Sequence, residues 1–163
     1  KESDLKIKVK TIWDVFLEQK LYKDINLNIK EKLRYKEFDL NHPCVVNEYP
    51  ILKTSIDEFI NKLDYNINQN IEVNCCGMGG MVHVSNSDLS KDQIAKKEGS
   101  FVNKIILNYC AACNESVSKL DKFKSYHILE LIFDQEGIIN NNIKNPSFLK
   151  KWHNRFKTKY LIN

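Results

Sequence analysis

All five cysteines of this 163-residue chain fall in three short pieces. They are His42-Pro43-Cys44, Asn74-Cys75-Cys76-Gly77-Met78-Gly79-Gly80 and Tyr109-Cys110-Ala111-Ala112-Cys113. Thirty residues separate Cys44 from Cys75, and thirty-three separate Cys76 from Cys110. Three of the five glycines lie in the same pieces. Ordinary core packing scatters single buried thiols through a chain. Grouping of this kind calls for a fold that brings three separate loops together.

The segments between the pieces supply such a fold. Apolar residues at Ile12, Trp13, Phe16 and Leu17 have helical spacing and predict an amphipathic helix over 11–21. The Asn- and Lys-rich stretch 21–34 reads as a connector. Residues 36–41 read as a short strand running into Pro43, which cannot continue a central strand. Pro50 suits the first turn of a helix over 50–64, with Ile56, Phe59, Ile60 and Leu63 at helical spacing. Ile71-Glu72-Val73 reads as a second strand. A helix capped by Ser87 or Asp88 follows, through Leu89, Ile94 and Ala95 towards Val102. Residues 104–109 form the clearest strand, a nearly continuous apolar run suited to burial on both faces of a parallel sheet. Cys113 opens the next helix, with Val117 and Leu120 inward, and 125–128 and 129–133 give a last strand and helix.

Alternation of strand and helix predicts an α/β fold, a Rossmann-like parallel sheet flanked by helices. Each cysteine piece follows a strand, so the thiols are expected at the carboxyl edge, where ligands of such sheets bind. Residues 1–136 are expected to form one cysteine-rich domain, with a loop and a helical arm over 137–163. In that arm Phe148, Trp152, Phe156 and Tyr160 recur every four residues and are read as packing on the chain's own core. The chain begins at Lys1 and is expected to be the C-terminal part of a longer protein.

Composition narrows the function. The net charge of +4 comes almost wholly from lysine, with Arg34 and Arg155 as the arginines. Clustered arginine interleaved with stacking aromatics is missing, so a nucleic-acid partner is not expected. No apolar run reaches the ~18 residues of a membrane span. An odd number of cysteines without a visible secretion signal argues against a disulfide framework and for metal-binding or redox-active thiols in the cytoplasm.

A Cys-x-x-Cys pair at a helix start can turn both sulfurs to one metal, and nearby backbone N–H groups favour thiolate. With Cys44 and one of Cys75 or Cys76 it completes a four-thiolate set that suits tetrahedral zinc. That set leaves one thiol over. Vicinal Cys75 and Cys76 point in different directions and suit separate metal atoms, and the glycine loop can approach a cofactor closely. These features tilt the reading towards an iron–sulfur cluster, with zinc as the alternative. The common cubane signature is absent. Thiol exchange at Cys110 and Cys113 alone would leave three cysteines unexplained. Gly77, Gly79 and Gly80 are the cofactor-binding candidates, and His42 is a candidate proton donor. His83 is read as capping local backbone, His127 and His153 as structural or exposed, and Met78 and Met81 as loop packing. Lys96 and Lys97 are expected to face solvent.

The arrangement Cys44–x30–Cys75-Cys76-Gly77–x32–Cys110-x-x-Cys113 resembles the cysteine-rich CCG domain of heterodisulfide reductase subunits. The same domain occurs in iron–sulfur subunits of glycolate, lactate and glycerol-3-phosphate oxidation systems. His42-Pro43-Cys44 is similar to the family's His-x-Pro-Cys segment with one residue fewer, and Gly77-Met78-Gly79-Gly80-Met81 to its glycine loop. The resemblance spans Thr11 to Phe133. It implies that Cys44, Cys75, Cys76, Cys110 and Cys113 hold a non-cubane 4Fe-4S cluster, or in some members zinc. It further implies an oxidoreductase role in electron transfer or thiol/disulfide reduction. Such domains work with a ferredoxin-like or flavin-containing partner domain or subunit, and in disulfide-reducing relatives with a disulfide substrate. Relatives usually carry two such repeats; this chain has one and no ferredoxin motif, so activity on its own is not expected. Any membrane association would come through partner subunits.

Overall fold

The computed structural model describes residues 10–140. The expected arm with Phe148, Trp152, Phe156 and Tyr160, and His153 with it, lies outside the described residues.

Helix α1 (Ile12–Glu18) starts at a capping box, in which Thr11 and Asp14 satisfy each other's backbone N–H groups. Two short helices follow, α2 (Leu21–Leu27) and α3 (Glu31–Arg34). Residues 21–34 are thus helical and not a plain connector. Leu21, Tyr22 and Ile25 pack on the core at helical spacing, and Leu33 is fully buried. Strand β1 (Glu37–Asn41) leads through Pro43 into a single 3₁₀ turn, Cys44–Asn47. Helix α4 (Pro50–Ile60) has Pro in its first turn and ends sooner than expected.

Strand β2 is Asn66–Asn68, not Ile71–Val73. Register explains the difference. Glu37 pairs with Asn66 and Asp39 with Asn68. Carried forward, this register sets Ile71 opposite His42 and Glu72 opposite Pro43. Pro43 has no N–H to give, and β1 has ended by then, so 71–73 has no ladder to join. Next come a 3₁₀ turn (Gly79–Met81), α5 (Val82–Ser85) and α6 (Ser87–Glu98). Helix α6 stops at Gly99, and Val102 beyond it is 77% exposed. Strand β3 (Ile105–Asn108), α7 (Ala111–Val117), β4 (Lys124–His127), α8 (Ile128–Phe133) and α9 (Gln135–Ile139) complete the order. Residues 137–139, expected in a loop, belong to α9, where the Asp134 side chain accepts from the Gly137 N–H at 3.3 Å.

The four strands form one all-parallel sheet in the order β2-β1-β3-β4, flanked by helices as the alternation predicts. Because side chains alternate along a strand, each face has its own character. Phe38, Leu40, Leu107 and Tyr126 share the main core with Trp13, Phe16, Ile56, Phe59 and Leu131. Trp13 stacks on Phe59 at 5.6 Å, and Phe16 meets Phe59 edge-on at 5.5 Å. Each such fully buried ring contributes roughly 1.5–3 kcal/mol. The other face carries buried polar residues, Asp39, Asn41, Asn108 and Ser125, around Ile106. Their hydrogen bonds are internal. Asn41 donates to Asn108 at 2.5 Å, and Asn108 donates to Ser125 at 2.9 Å. This polar row runs along the sheet to the edge where the cysteine loops emerge. Among the described residues, no helix is long and apolar enough to cross a membrane.

Candidate metal centre

Parallel strands put all their carboxyl ends on one edge, and all five thiols gather there. Cys44 opens the 3₁₀ turn after β1 and is exposed. Cys75 and Cys76 end the extended stretch after β2, the first half-buried and the second buried. Cys110 follows β3 and caps α7, and Cys113 lies buried in the first turn of that helix. None is in a disulfide.

The sulfurs form a pair and a trio. Cys44 and Cys75 are hydrogen-bonding neighbours, and Cys113 stands between Cys76 and Cys110. The Cys113 thiol, together with the backbone N–H groups of Cys113 and Ala112, pulls Cys110 down to about 5. The same Cys113 thiol, with the Met78 N–H, pulls Cys76 down to about 6. One S–H proton faces one sulfur at a time, so backbone donors decide the order. Cys110 has two and Cys76 one, which makes Cys110 the more acidic thiol. Cys113 is pushed up because its proton is held by whichever of Cys110 and Cys76 it faces, and because it is buried. Burial and the Cys75 sulfur push Cys44 up.

Lys97 corrects the sequence reading. It was expected in solvent, as Lys96 is, but it is 0% exposed. Its ammonium donates to the carbonyl of His42 at 3.2 Å and to the carbonyl of Asn74. Burial pulls Lys97 down, while Cys113, Cys76, Cys44 and Cys75 raise it. On α6, Ser90, Ile94 and Lys97 lie on one stripe at i, i+4 and i+7. The stripe is weak, and a lysine is almost never fully buried unless paired, so spacing alone does not mark Lys97 as the inward residue.

Other bonds tie the three loops together. The Ser116 hydroxyl donates to the Cys76 carbonyl at 2.7 Å, linking α7 to the Cys-Cys pair. The Ser90 hydroxyl donates to the Gly77 carbonyl at 3.0 Å. His42 is fully buried, with Nδ1 2.9 Å from the Tyr109 hydroxyl and Nε2 3.6 Å from Asp57 Oδ1. Burial pulls His42 down, and burial pushes the Tyr109 phenol up. A protonated phenol therefore faces a neutral imidazole across this bond. His42 stands behind the thiols as a brace between the Cys44 and Cys110 loops. Its ring nitrogens face Tyr109 and Asp57, so as a proton donor it would have to act through Tyr109.

The glycine loop divides. Gly77 has φ +73°, and a Cβ there would meet the Ser90 carbonyl and hydroxyl oxygens at 2.7 Å. Only glycine fits that approach. Gly80 has φ +58° but faces open space, and Gly79 has nothing within 4 Å. Gly77 thus shapes the turn, while Gly79 and Gly80 lie exposed at its tip. Met81, also exposed, takes a left-handed φ of 63°. His83 is exposed on α5. His127 caps α8, its Nδ1 accepting from the Leu129 N–H at 3.3 Å. It also stands near enough to Cys110 for their charges to interact, which strand position alone had not suggested.

Among the described residues, no group of three or more His, Cys, Asp or Glu side chains is placed to hold a metal ion as it stands. The donor set is wholly soft, five sulfurs in a pair and a trio. An apolar cleft of about 660 Å³ is lined by Trp13, Pro43, Val45, Leu52, Tyr109 and Cys110. No protein-family model, curated protein or solved structure matches the chain.

Proposed function

We propose that this chain is the cluster-binding domain of an iron–sulfur oxidoreductase, with Cys44, Cys75, Cys76, Cys110 and Cys113 as ligands of a non-cubane 4Fe-4S cluster. The carrying observation is the meeting of five unpaired thiols from three loops above a fully buried lysine. The donor chemistry fits such a group. A tetrahedral zinc needs four sulfurs converging at about 2.3 Å on one point and would leave a fifth without a role. A polynuclear cluster spreads its ligands over several metals, which would suit a pair and a trio and leave no thiol without a role.

When bound, the cluster would supply one-electron chemistry at its sulfur-ligated irons. The chain's own residues do the rest. Cys110 and Cys76 present thiolates near neutral pH, ready to bind metal without first losing a proton. Lys97 offsets the negative charge, and His42, Tyr109 and Ser116 hold the loops in place. The cleft that Cys110 helps to line would give an apolar organic disulfide, the proposed substrate class, an approach to the centre. Electrons would come from a ferredoxin-like or flavin-containing partner.

The test is metal and sulfide content after anaerobic purification and reconstitution, with optical and EPR spectra of the same sample. About four irons and four sulfides per chain with an atypical EPR signal are expected. Stoichiometric zinc that survives reconstitution would refute the redox reading and leave a zinc-stabilised structural or assembly domain.

A further inference from the structure

We propose that Lys97 is the positioning residue of the thiol centre: its buried ammonium clamps the loops carrying Cys44 and Cys75 together and supplies the positive charge that the gathered thiolates require. The inference rests on the functional reading above for its charge role, and on geometry alone for its clamp.

The geometry is specific. Lys97 holds the carbonyl of His42, two residues before Cys44, and the carbonyl of Asn74, the residue before Cys75. These loops leave neighbouring parallel strands that have stopped pairing. Pro43 breaks the ladder on one side, and 71–74 has no strand partner on the other. Two stretches of backbone would therefore diverge at the sheet edge. A three-donor ammonium between their carbonyls replaces the missing ladder hydrogen bonds. Helix α6 brings it there, with Ser90 seated against Gly77 and Lys97 reaching beneath the sulfurs from the same stripe.

Charge gives the second half. A fully buried ammonium is costly unless it is paired. No carboxylate oxygen lies within 4 Å of Lys97 among the described residues' ion pairs. Burial disfavours its charge, and the groups near enough to favour it are the sulfurs of Cys113, Cys76, Cys44 and Cys75. A lysine buried against carbonyls alone would have charge-assisted hydrogen bonds but no countercharge. One buried under four sulfurs gains most when those sulfurs are thiolates or carry a net-negative cluster. Added negative charge on reduction is stabilised by a nearby cation, so Lys97 would raise the reduction potential of whatever is bound.

The experiment uses the full chain and three variants, Lys97→Met, Lys97→Arg and Lys96→Met. Methionine keeps most of the length but removes donor and charge. Lys96 loses the same charge from an exposed position on the same helix. Cobalt(II) is titrated into metal-free protein and read by thiolate-to-cobalt absorbance. Hydrogen–deuterium exchange of segments 42–48 and 72–78 is followed in the metal-free state. The potential of the reconstituted protein is measured in parallel.

Lys97→Met is expected to weaken cobalt binding about tenfold or more and to speed exchange several-fold in both segments, with Lys96→Met unchanged. A tenfold shift in the reduction equilibrium would appear as a potential lower by about 59 mV. If Lys97→Met does not fold by circular dichroism, Lys97→Arg carries the test. Keeping the cation, it should hold cobalt within about threefold of wild type, and a loss of tenfold would overturn the charge role. If wild type binds metal and Lys97→Met matches it in affinity, exchange and potential, the proposal is refuted while the cluster reading stands. If wild type binds neither cobalt nor a cluster, the cluster reading and the charge role fall together. Exchange then decides the clamp, with faster exchange upholding it and unchanged exchange overturning it.

Discussion

Replacing Gly77 with alanine should separate the shape of the Cys75-Cys76 turn from its chemistry. Gly77 sits at φ +73°, a left-handed conformation that costs an L-residue roughly 1–2 kcal/mol. The added methyl would also lie 2.7 Å from the Ser90 carbonyl and hydroxyl oxygens and 3.0 Å from its Cα. Two of these atoms are helix backbone, so relief requires α6 to move. Overpacking of this sort costs typically 1–3 kcal/mol. The two effects together give about 3 kcal/mol, a large part of the 5–15 kcal/mol that holds an ordinary domain folded. Urea unfolding of reduced, metal-free protein measures it. With a slope near 2 kcal/mol/M, the midpoint should fall by about 1.5 M. The other glycines are internal controls. Gly80→Ala meets only its φ of +58° and should cost about 1 kcal/mol. Gly79→Ala meets nothing and should stay within about 0.5 kcal/mol of wild type. Adding Ser90→Ala to Gly77→Ala removes one of the close atoms and leaves the carbonyl and Cα, so less than half the loss should return. A Gly77→Ala cost below about 1 kcal/mol, or one equalled by Gly79→Ala, would refute the steric argument.

Three further outcomes follow, two from the thiols and one from the buried polar face of the sheet. In reduced, metal-free protein, iodoacetamide should alkylate Cys110 with a pH midpoint near 5, against an ordinary thiol value of 9.0, while exposed Cys44 reacts slowly at neutral pH because its thiol is raised. Between those values the unfolded chain binds the Cys110 and Cys76 protons and the folded chain does not, so stability should rise from pH 5 to 9 and be lost as pH falls through 6 and 5. Burial of neutral His42 and His127 acts in the same sense below 6.5, and a flat denaturation midpoint over that range would contradict the assignment. Asp39 is fully buried and accepts from the Val102 and Asn103 N–H groups at 2.6 and 2.8 Å and from the Asn103 and Asn68 amides at 2.8 and 3.0 Å. Asp39→Ala strands these donors and should cost about 3 kcal/mol in urea unfolding; a loss under about 1 kcal/mol would show that water takes over the role.

Much of the architecture was legible because its causes are local. The apolar spacing within 50–64, the continuous run 104–109, the break at Pro43 and the glycine loop from Gly77 are short-range signals, and they place strands, helices and cysteine loops in order. Local signals failed where pairing decided. Ile71-Glu72-Val73 has strand character, yet β1 pairs with the plainer Asn66-Ile67-Asn68 because β1 ends before 71–73 can reach it. Residues 21–34 intersperse Asn and Lys among their apolar side chains, and they fold as α2 and α3 because the core takes Leu21, Tyr22, Ile25 and Leu33.

The candidate site divides along the same line. From sequence alone came the five thiols, their place after successive strands and so their gathering at one edge, since parallel strands leave no other edge for those loops. What stands beneath them was decided only by the tertiary structure. Helix α6 has a weak apolar stripe, so its pattern cannot say which of the adjacent Lys96 and Lys97 turns inward. Its rotation is set by Ser90 against Gly77, and one step of about 100° around the helix separates a lysine in water from one under four sulfurs.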